Sequence, residues 1–184
     1  MSLTPSNMIP LGTQAPDFEL MDVITNKRLT LDDVRSEVAT VVMFICNHCP
    51  YVKYVQPEIV RLANDYLSKD IGFAAISSND YEAYPEDHPD KMREVAKKWK
   101  FQFPYLVDDT QVVAKKYDAA CTPDFYIFDH HLKLVYRGQL DSSRPGNDKP
   151  LNGQDMRRAL DDIIKGVPVS TDQMPSQGCN IKWK

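Results

Sequence analysis

The feature that most constrains the fold is an apolar, β-branched run that ends in two cysteines with two residues between them. Residues 41–45 read Val-Val-Met-Phe-Ile, Cys46 and Cys49 follow, and apolar residues at helical spacing begin near Tyr51. This order predicts a buried strand that delivers both thiols to the first turn of a helix. The unpaired N–H groups and the positive dipole end of such a turn stabilise an anion. The sequence therefore predicts a reactive thiol pair.

Each residue of this motif has a predicted role. Cys46 is the more N-terminal cysteine, and we predict it to be the nucleophilic thiolate, with a pKa below the value of about 8.5 of a free cysteine. Cys49, three residues later, would close a small disulfide ring as the resolving thiol. Protonated His48 would stabilise the thiolate, and with Asn47 it forms the dipeptide that tunes the redox potential.

Two other interpretations of the motif stay open, namely half of a zinc site and a pair of buried structural cysteines. Zinc sites usually bring a second closely spaced pair of ligands. Here Cys121 and Cys179 are isolated in the sequence, and His130 and His131 follow a predicted strand without metal-ligand spacing. The strand-to-helix context favours redox use, so we predict no metal and no cofactor besides the redox-active disulfide.

Composition restricts the class of protein. The chain has 184 residues, of which 42% are hydrophobic and 26% charged, as expected for a globular domain. A net charge of -4 without a clustered Lys/Arg run argues against nucleic acid or a membrane as partner. The first residues lack the pattern of a signal peptide, and no apolar stretch approaches the roughly 20 residues of a membrane span. We therefore predict a cytoplasmic protein, in which a vicinal thiol pair has catalytic or sensing use.

Hydrophobic periodicity along the chain alternates between strand and helix. It predicts a short hairpin at 24–29, a helix capped by Thr30, strands at 38–45, 71–77, 125–129 and 134–140, helices at 51–67 and 154–165, and an edge segment at 103–108. Residues 79–89 are interpreted as a solvated polar loop. The predicted organisation is an irregular lead-in at 1–11, one domain at 12–166 and a tail at 167–184 that docks on the domain.

This order of elements resembles the thioredoxin fold, with Pro57 at the position of its helix kink. The opening Gly-x-x-Ala-Pro-Asp-Phe at 12–18, the Cys-Asn-His-Cys-Pro-Tyr-Val motif and the ending Gly-Cys-Asn-Ile-Lys-Trp-Lys are similar to the peroxiredoxin-like, AhpC/TSA-related group of the thioredoxin-fold superfamily. The resemblance implies an α/β fold: a three-layer α/β/α sandwich with a mixed central sheet, an N-terminal β-hairpin extension and a C-terminal tail.

The resemblance also implies roles for residues outside the cysteine motif. Thr122 and Pro123 match the cis-proline loop, where backbone groups of Thr122 would hold an extended substrate beside the disulfide. In peroxiredoxins the peroxidatic cysteine aligns with Cys49 and a threonine stands three residues earlier, whereas this chain has Cys46 there. Arg137 is a candidate for the peroxidase arginine, with an ordinary salt bridge as the alternative.

The function predicted from the sequence is that of a thiol-disulfide oxidoreductase acting on protein or small-molecule disulfides or thiols, with an electron donor that the sequence does not identify. A peroxiredoxin-like thiol peroxidase that reduces peroxide and a non-enzymatic redox sensor or binding module are the alternatives. A further hypothesis makes Cys121 or Cys179 a third redox thiol, with two inert buried cysteines as its alternative.

Overall fold

The computed structural model describes residues 3–184, so Met1 and Ser2 of the predicted lead-in lie outside the described residues. The strands are β1 (Leu3–Pro5), β2 (Glu19–Asp22), β3 (Arg28–Thr30), β4 (Ala39–Phe44), β5 (Ile71–Ser77), β6 (Tyr105–Val107), β7 (Cys121–Thr122), β8 (Asp124–Asp129), β9 (Leu134–Gly138) and β10 (Gln177–Asn180). The helices are α1 (Leu31–Val34), α2 (Pro50–Tyr66), α3 (Pro89–Trp99), α4 (Val112–Lys116) and α5 (Gln154–Ile164).

Seven of these strands form one mixed sheet in the order β3-β2-β6-β5-β4-β8-β9. Strand β4 pairs in parallel with β5 and antiparallel with β8, and it lies near the middle of the sheet. The carboxyl ends of parallel neighbours meet at the same edge of a sheet. The segments that follow β4 and β5 are therefore brought together, and this edge carries the cysteine motif.

Hydrophobic residues cover both faces of the sheet, which gives three layers. In β4, Val41 and Met43 belong to a cluster with residues of α2, α3 and α5, whereas Val42 and Phe44 belong to a second cluster with residues of α1 and α4. A strand buried on both faces is apolar throughout, and this explains the run that dominates the sequence. Each fully buried large apolar side chain contributes roughly 1.5–3 kcal/mol to stability.

Local sequence signals account for the helix starts. Thr30 caps α1 in a capping box with Asp33, which confirms the predicted cap. Cys49 is the N-cap of α2 and Pro50 is its first residue, where a missing N–H costs no helical hydrogen bond. Pro57 lies inside α2.

Two predictions about the chain's organisation differ from the structure. Residues 103–108 were predicted as a sheet edge, but β6 pairs with both β2 and β5 and is interior. The expected irregular lead-in contains strand β1, which pairs with β10 at the other end of the chain. In turn, β10 pairs with β7, so a second, three-stranded sheet holds both chain ends against the residues that precede Pro123. Short apolar alternations give no signal for such long-range pairing.

Among residues 3–184, no helix has both the length and the apolar composition needed to cross a membrane.

Candidate active site

Strand β4 and helix α2 position the two cysteines of the motif. The chain leaves β4 after Phe44, and Cys46 lies in the short connection that leads to Cys49 at the N-cap of α2. Both side chains are buried: Cys46 is 2% exposed and Cys49 is 0% exposed. Among the described residues, both are thiols rather than members of a disulfide.

The turn before β8 closes over these thiols. The peptide bond between Thr122 and Pro123 is cis, as the resemblance implied. Cys46 Sγ lies 3.4 Å from Thr122 Oγ1, and Cys49 Sγ lies 3.3 Å from the carbonyl oxygen of Thr122. The structure therefore brings Cys46, Cys49 and the Thr122–Pro123 turn together, as the resemblance implied.

A third thiol lies beside the pair, so that the sulfur atoms of Cys46, Cys49 and Cys179 form a row with Cys49 in the middle. Cys179 Sγ, on strand β10, lies 2.7 Å from Cys49 Sγ. In the pairing of β10 with β7, Cys179 is opposite Thr122 and Asn180 is opposite Cys121. Neighbouring residues of a strand point to opposite faces, so Cys121 points away from the row, and its Sγ contacts the carbonyl oxygen of Pro123 at 3.7 Å. Of the two hypothesised auxiliary thiols, only Cys179 reaches the pair.

The middle sulfur of the row is the acidic one. A hydrogen bond with the Cys46 thiol is the largest influence that lowers the pKa of Cys49 to about 5; the Cys179 thiol and the N–H of Val52 act in the same direction, and burial opposes them. Burial, together with the hydrogen bond to Cys49, raises the pKa of Cys46 well above its ordinary value. This reverses the prediction that Cys46 is the acidic thiol. The physical reason is that Cys49 itself caps α2 and has a thiol on either side.

Asp87, which no sequence pattern marks as a site residue, holds the motif from the β5 side. Its side chain is fully buried, and Oδ2 lies 2.5 Å from His48 Nδ1. The carboxylate also accepts hydrogen bonds from the backbone N–H of Asn47 (2.7 Å) and His48 (3.1 Å) and from the side chain of Asn79 (2.8 Å). Burial alone would raise the pKa of Asp87, but the hydrogen bonds from His48 and Asn79 lower it.

Asp87 also affects the protonation of His48. The hydrogen bond with Asp87 raises the pKa of His48 above its ordinary value of 6.5, against the effect of burial. The imidazole is 11% exposed and stacks on the ring of Tyr84 at a centroid distance of 5.2 Å. Residues 79–89 are thus part of the site and not simply a solvated loop. The parallel pairing of β4 and β5 is the signal that could have located them, because it joins the segments after both strands.

Asn47 is occupied by structural hydrogen bonds. Its side-chain amide donates to the carbonyl oxygen of Glu86 at 2.8 Å, and its side-chain oxygen accepts from the Tyr105 hydroxyl at 3.0 Å. These bonds fasten the cysteine motif to its neighbours.

One group of side chains has ligand types suited to a metal ion. Cys46, His48 and Asp87 each offer a ligand atom, and these three atoms lie within 4.8 Å of one another. Thiolate, imidazole and carboxylate are all ligands of zinc. The same three groups also suit thiol chemistry, because the imidazole and carboxylate set the charge around Cys46.

Arg137, the candidate peroxidase arginine, forms a buried ion pair. Its Nη2 lies 3.0 Å from Asp124 Oδ2 and donates to the carbonyl oxygen of Asp118 at 2.8 Å. The guanidinium lies over the ring of Tyr126, 4.4 Å from the centroid, and both charged side chains are 0% exposed. The salt bridge, which the sequence analysis gave as the alternative, accounts for this residue.

Comparison with solved structures finds the same fold. The structure of an uncharacterized conserved protein from Geobacillus kaustophilus is 60% identical over 100% of this chain and 97% of that chain, with a TM-score of 0.99. A hypothetical protein from Sinorhizobium meliloti is 45% identical over 98% of each chain, with a TM-score of 0.96. The thioredoxin domain of a thiol-disulfide oxidoreductase from Bacteroides vulgatus is 18% identical over 82% of this chain and 98% of that chain, with a TM-score of 0.61.

None of the curated proteins in the comparison matches the chain significantly. Among protein families, the AhpC/TSA family matches residues 11–137, a span that runs from the lead-in through the cysteine motif and the cis-proline turn into β9. With this match and the mixed sheet between two helical layers, the chain belongs to the AhpC/TSA family and has the thioredoxin-like fold.

Proposed function

We propose that the protein is a thiol-disulfide oxidoreductase that cycles Cys46 and Cys49 between a dithiol and a disulfide. The observation that carries the proposal is the hydrogen-bonded thiol pair at the start of α2, in which the pKa of Cys49 is lowered to about 5. A thiol with this pKa is ionised at neutral pH, and the thiolate is the form that takes part in disulfide exchange.

In the first step Cys46 attacks a substrate disulfide. As Cys46 bonds to the substrate, its proton passes to the hydrogen-bonded Cys49 thiolate. Cys46 Sγ bonds to one substrate sulfur, and the other sulfur leaves as a thiolate. We assign the attack to Cys46 because Cys49 is enclosed by Thr122 and Cys179.

In the second step Cys49 loses its proton and attacks the Cys46 sulfur of the mixed disulfide. The bond between Cys46 and the substrate breaks, the second substrate sulfur leaves, and Cys46 and Cys49 become a disulfide. The substrate gains two electrons and two protons: the pair gives up both electrons and the single proton that it holds, and the second proton comes from protonated His48. An external dithiol or thiol of the same chemistry would regenerate the pair, so no cofactor is needed.

His48 and Asp87 fit the proton transfers of this cycle. Protonated His48, within 4.8 Å of Cys46, would stabilise the departing thiolate and supply its proton. Asp87 is a positioning residue, because it holds Nδ1 of the imidazole and raises the pKa of His48. We expect protein or small-molecule disulfides and thiols as partners, in the cytoplasm.

The test is reduction of the insulin disulfides with dithiothreitol as electron source. We expect turnover by the wild type, loss of turnover in Cys46→Ser and Cys49→Ser, and unchanged turnover in Cys121→Ala, whose thiol points away from the row. Equilibration with glutathione should give a potential within the range of about -270 to -120 mV known for this fold. Absence of a Cys46–Cys49 disulfide at every glutathione ratio would contradict the proposal.

A thiol peroxidase is the second candidate function, and the family match together with the acidity of Cys49 favours it. The Cys49 thiolate would attack a peroxide oxygen and become a sulfenic acid, and the hydroxyl or alkoxyl part of the peroxide would leave. Condensation with the Cys46 thiol would then release water and form the same disulfide. Stoichiometric peroxide consumption at a rate that exceeds disulfide reduction would establish this function in place of the first.

A further inference from the structure

The chain's own C-terminal strand occupies the place beside the thiols where a substrate was predicted to bind. Strand β10 pairs antiparallel with β7, and Cys179 is the register partner of Thr122. The approach is so close that a Cβ at Gly178 would lie 1.9 Å from the carbonyl oxygen of Thr122. A side chain at position 178 therefore could not fit, and the glycine fixes where the next residue places its sulfur.

Contacts on the far side of Cys179 hold the strand in this position. The N–H of Ile181 donates to the carbonyl oxygen of Ala120 at 3.1 Å, and the N–H of Lys182 donates to Asn79 at 2.8 Å. Asn79 also donates to Asp87, so the segment that carries Cys179 and the segment that orients His48 are joined. The Cys179 sulfur is a built part of the thiol site.

The sulfur atoms are arranged for exchange. Cys49 is hydrogen-bonded to Cys46 on one side and lies 2.7 Å from Cys179 Sγ on the other, so either neighbour can become its disulfide partner. A disulfide bond is about 2.05 Å long, so bonding Cys49 to Cys179 would require a movement of less than about 1 Å.

We propose that Cys179 is a third redox thiol, which exchanges with the Cys46–Cys49 disulfide to form a Cys49–Cys179 disulfide. This rests on the proposed function, which supplies the oxidised pair. The Cys179 thiolate attacks Cys49 Sγ, the bond between Cys49 and Cys46 breaks, and Cys46 leaves as a thiolate that takes up the proton lost by Cys179. One disulfide replaces another, so no further oxidant or reductant takes part.

The exchange moves the disulfide from the cysteine motif to the C-terminal strand. The Cys49–Cys179 disulfide links the start of α2 to strand β10 and fixes the C-terminal segment over Thr122. Cys46 is then a thiol again, beside His48 and Asp87. The oxidised protein would store its disulfide at the C-terminal strand while its nucleophile is restored.

The experiment maps disulfides after limited oxidation. Reduced protein receives one equivalent of diamide, remaining thiols are blocked with N-ethylmaleimide, and peptides are identified by mass spectrometry. In Cys46→Ser, we expect most of the oxidised protein to contain a Cys49–Cys179 disulfide. The wild type should contain this disulfide together with Cys46–Cys49. Cys121→Ala is the matched control, a buried cysteine one register position away, and it should reproduce the wild-type pattern.

Different variants report on the two proposals. If Cys46→Ser yields no Cys49–Cys179 peptide while the wild type forms Cys46–Cys49, the role of Cys179 is overturned and the proposed function stands. If Cys179→Ala fails to form Cys46–Cys49, the proposed function is contradicted. Cys46→Ala serves as a second variant should the serine perturb folding, and circular dichroism compares the variants with wild type.

Discussion

The protein contains two buried acid–base pairs that are built alike and behave differently. In one, His48 binds Asp87 beside the thiols; in the other, Arg137 binds Asp124 in the interior. Both carboxylates are 0% exposed, and both bases lie against an aromatic ring. Yet His48 retains 11% exposure at the cysteine motif, whereas Arg137 has none.

The difference lies in what surrounds each carboxylate. Asp87 accepts two backbone N–H groups and one amide besides the imidazole, and its pKa is lowered despite burial. Asp124 has hydrogen bonds from Arg137 and Tyr126 at the single oxygen Oδ2, and burial raises its pKa to about 6. Several fixed donors keep a buried carboxylate ionised more effectively than one cation does. In the proposed function the first arrangement serves proton transfer, whereas the second joins β8 to β9.

The largest expected effect comes from breaking the interior pair. Arg137→Met leaves Asp124 buried without its cation, and breaking a buried pair typically costs about 3–5 kcal/mol. Urea unfolding at neutral pH should show a loss of unfolding free energy of this size. The folded variant should reduce disulfides at a rate within about twofold of wild type, because the side chain of Arg137 binds Asp118 and Asp124 and not Cys46 or Cys49.

The double variant Arg137→Met with Asp124→Leu is the control for this prediction. Apolar residues of similar volume can replace a buried pair with little loss, so most of the stability should return. A single variant as stable as wild type, or one that is folded but inactive, would show that the pair has been assigned wrongly.

A smaller effect, on activity, is expected at the other pair. Asp87→Asn removes the charge that raises the pKa of His48, and disulfide reduction should slow by about a hundredfold, at the lower end of general acid–base contributions. The limb of the pH–rate profile that belongs to His48 should move to lower pH, since the hydrogen bond with Asp87 is what raises its pKa.

Asp124→Asn is the matched control, because it removes a buried carboxylate whose hydrogen bonds are with Arg137 and Tyr126 and not with His48. Its folded fraction should keep the wild-type pH profile. A slower Asp87→Asn enzyme with an unmoved limb would indicate that Asp87 acts only by supporting the loop.

The sequence predicted most of the fold because local signals and tertiary structure agree in the central elements. Strand β5 was predicted with the bounds that the structure has, and β4 and α2 differ by one residue at each end. The errors fall where long-range pairing decides: β6 became interior because β2 pairs with it, and β1 formed because β10 lies beside it. No local pattern contains that information.

Prediction of the site was limited in the same way. Cys46, Cys49 and Thr122 were identifiable because a motif or a proline marks each of them in the sequence. Asp87 was missed, since one acid among several in a polar loop differs from the others only by its burial. The acidity of Cys49 was missed in part because the hydrogen bond from Cys46 is joined by one from Cys179, which is 130 residues away along the chain.

The smallest expected effect concerns the pH dependence of stability, to which Asp124 and Asp87 contribute with opposite signs. The folded pKa of Asp124 is raised to about 6 from 3.8, so its stabilising contribution is complete below about pH 3.8 and is lost as pH rises through 6. The folded pKa of Asp87 is lowered, so its contribution is present above 3.8 and is lost as pH falls through the folded value.

Between about pH 4.5 and 6, the stability of wild type relative to Asp124→Asn should therefore fall, by at most about 1.4 kcal/mol per pH unit. Relative to Asp87→Asn it should stay nearly constant when both proteins also carry His48→Gln, which removes the titration of the imidazole from this range. Urea unfolding of these proteins across the range measures both differences. If the two differences fell in parallel, hydrogen bonding would not distinguish the carboxylates, and the contrast between the two pairs would be wrong.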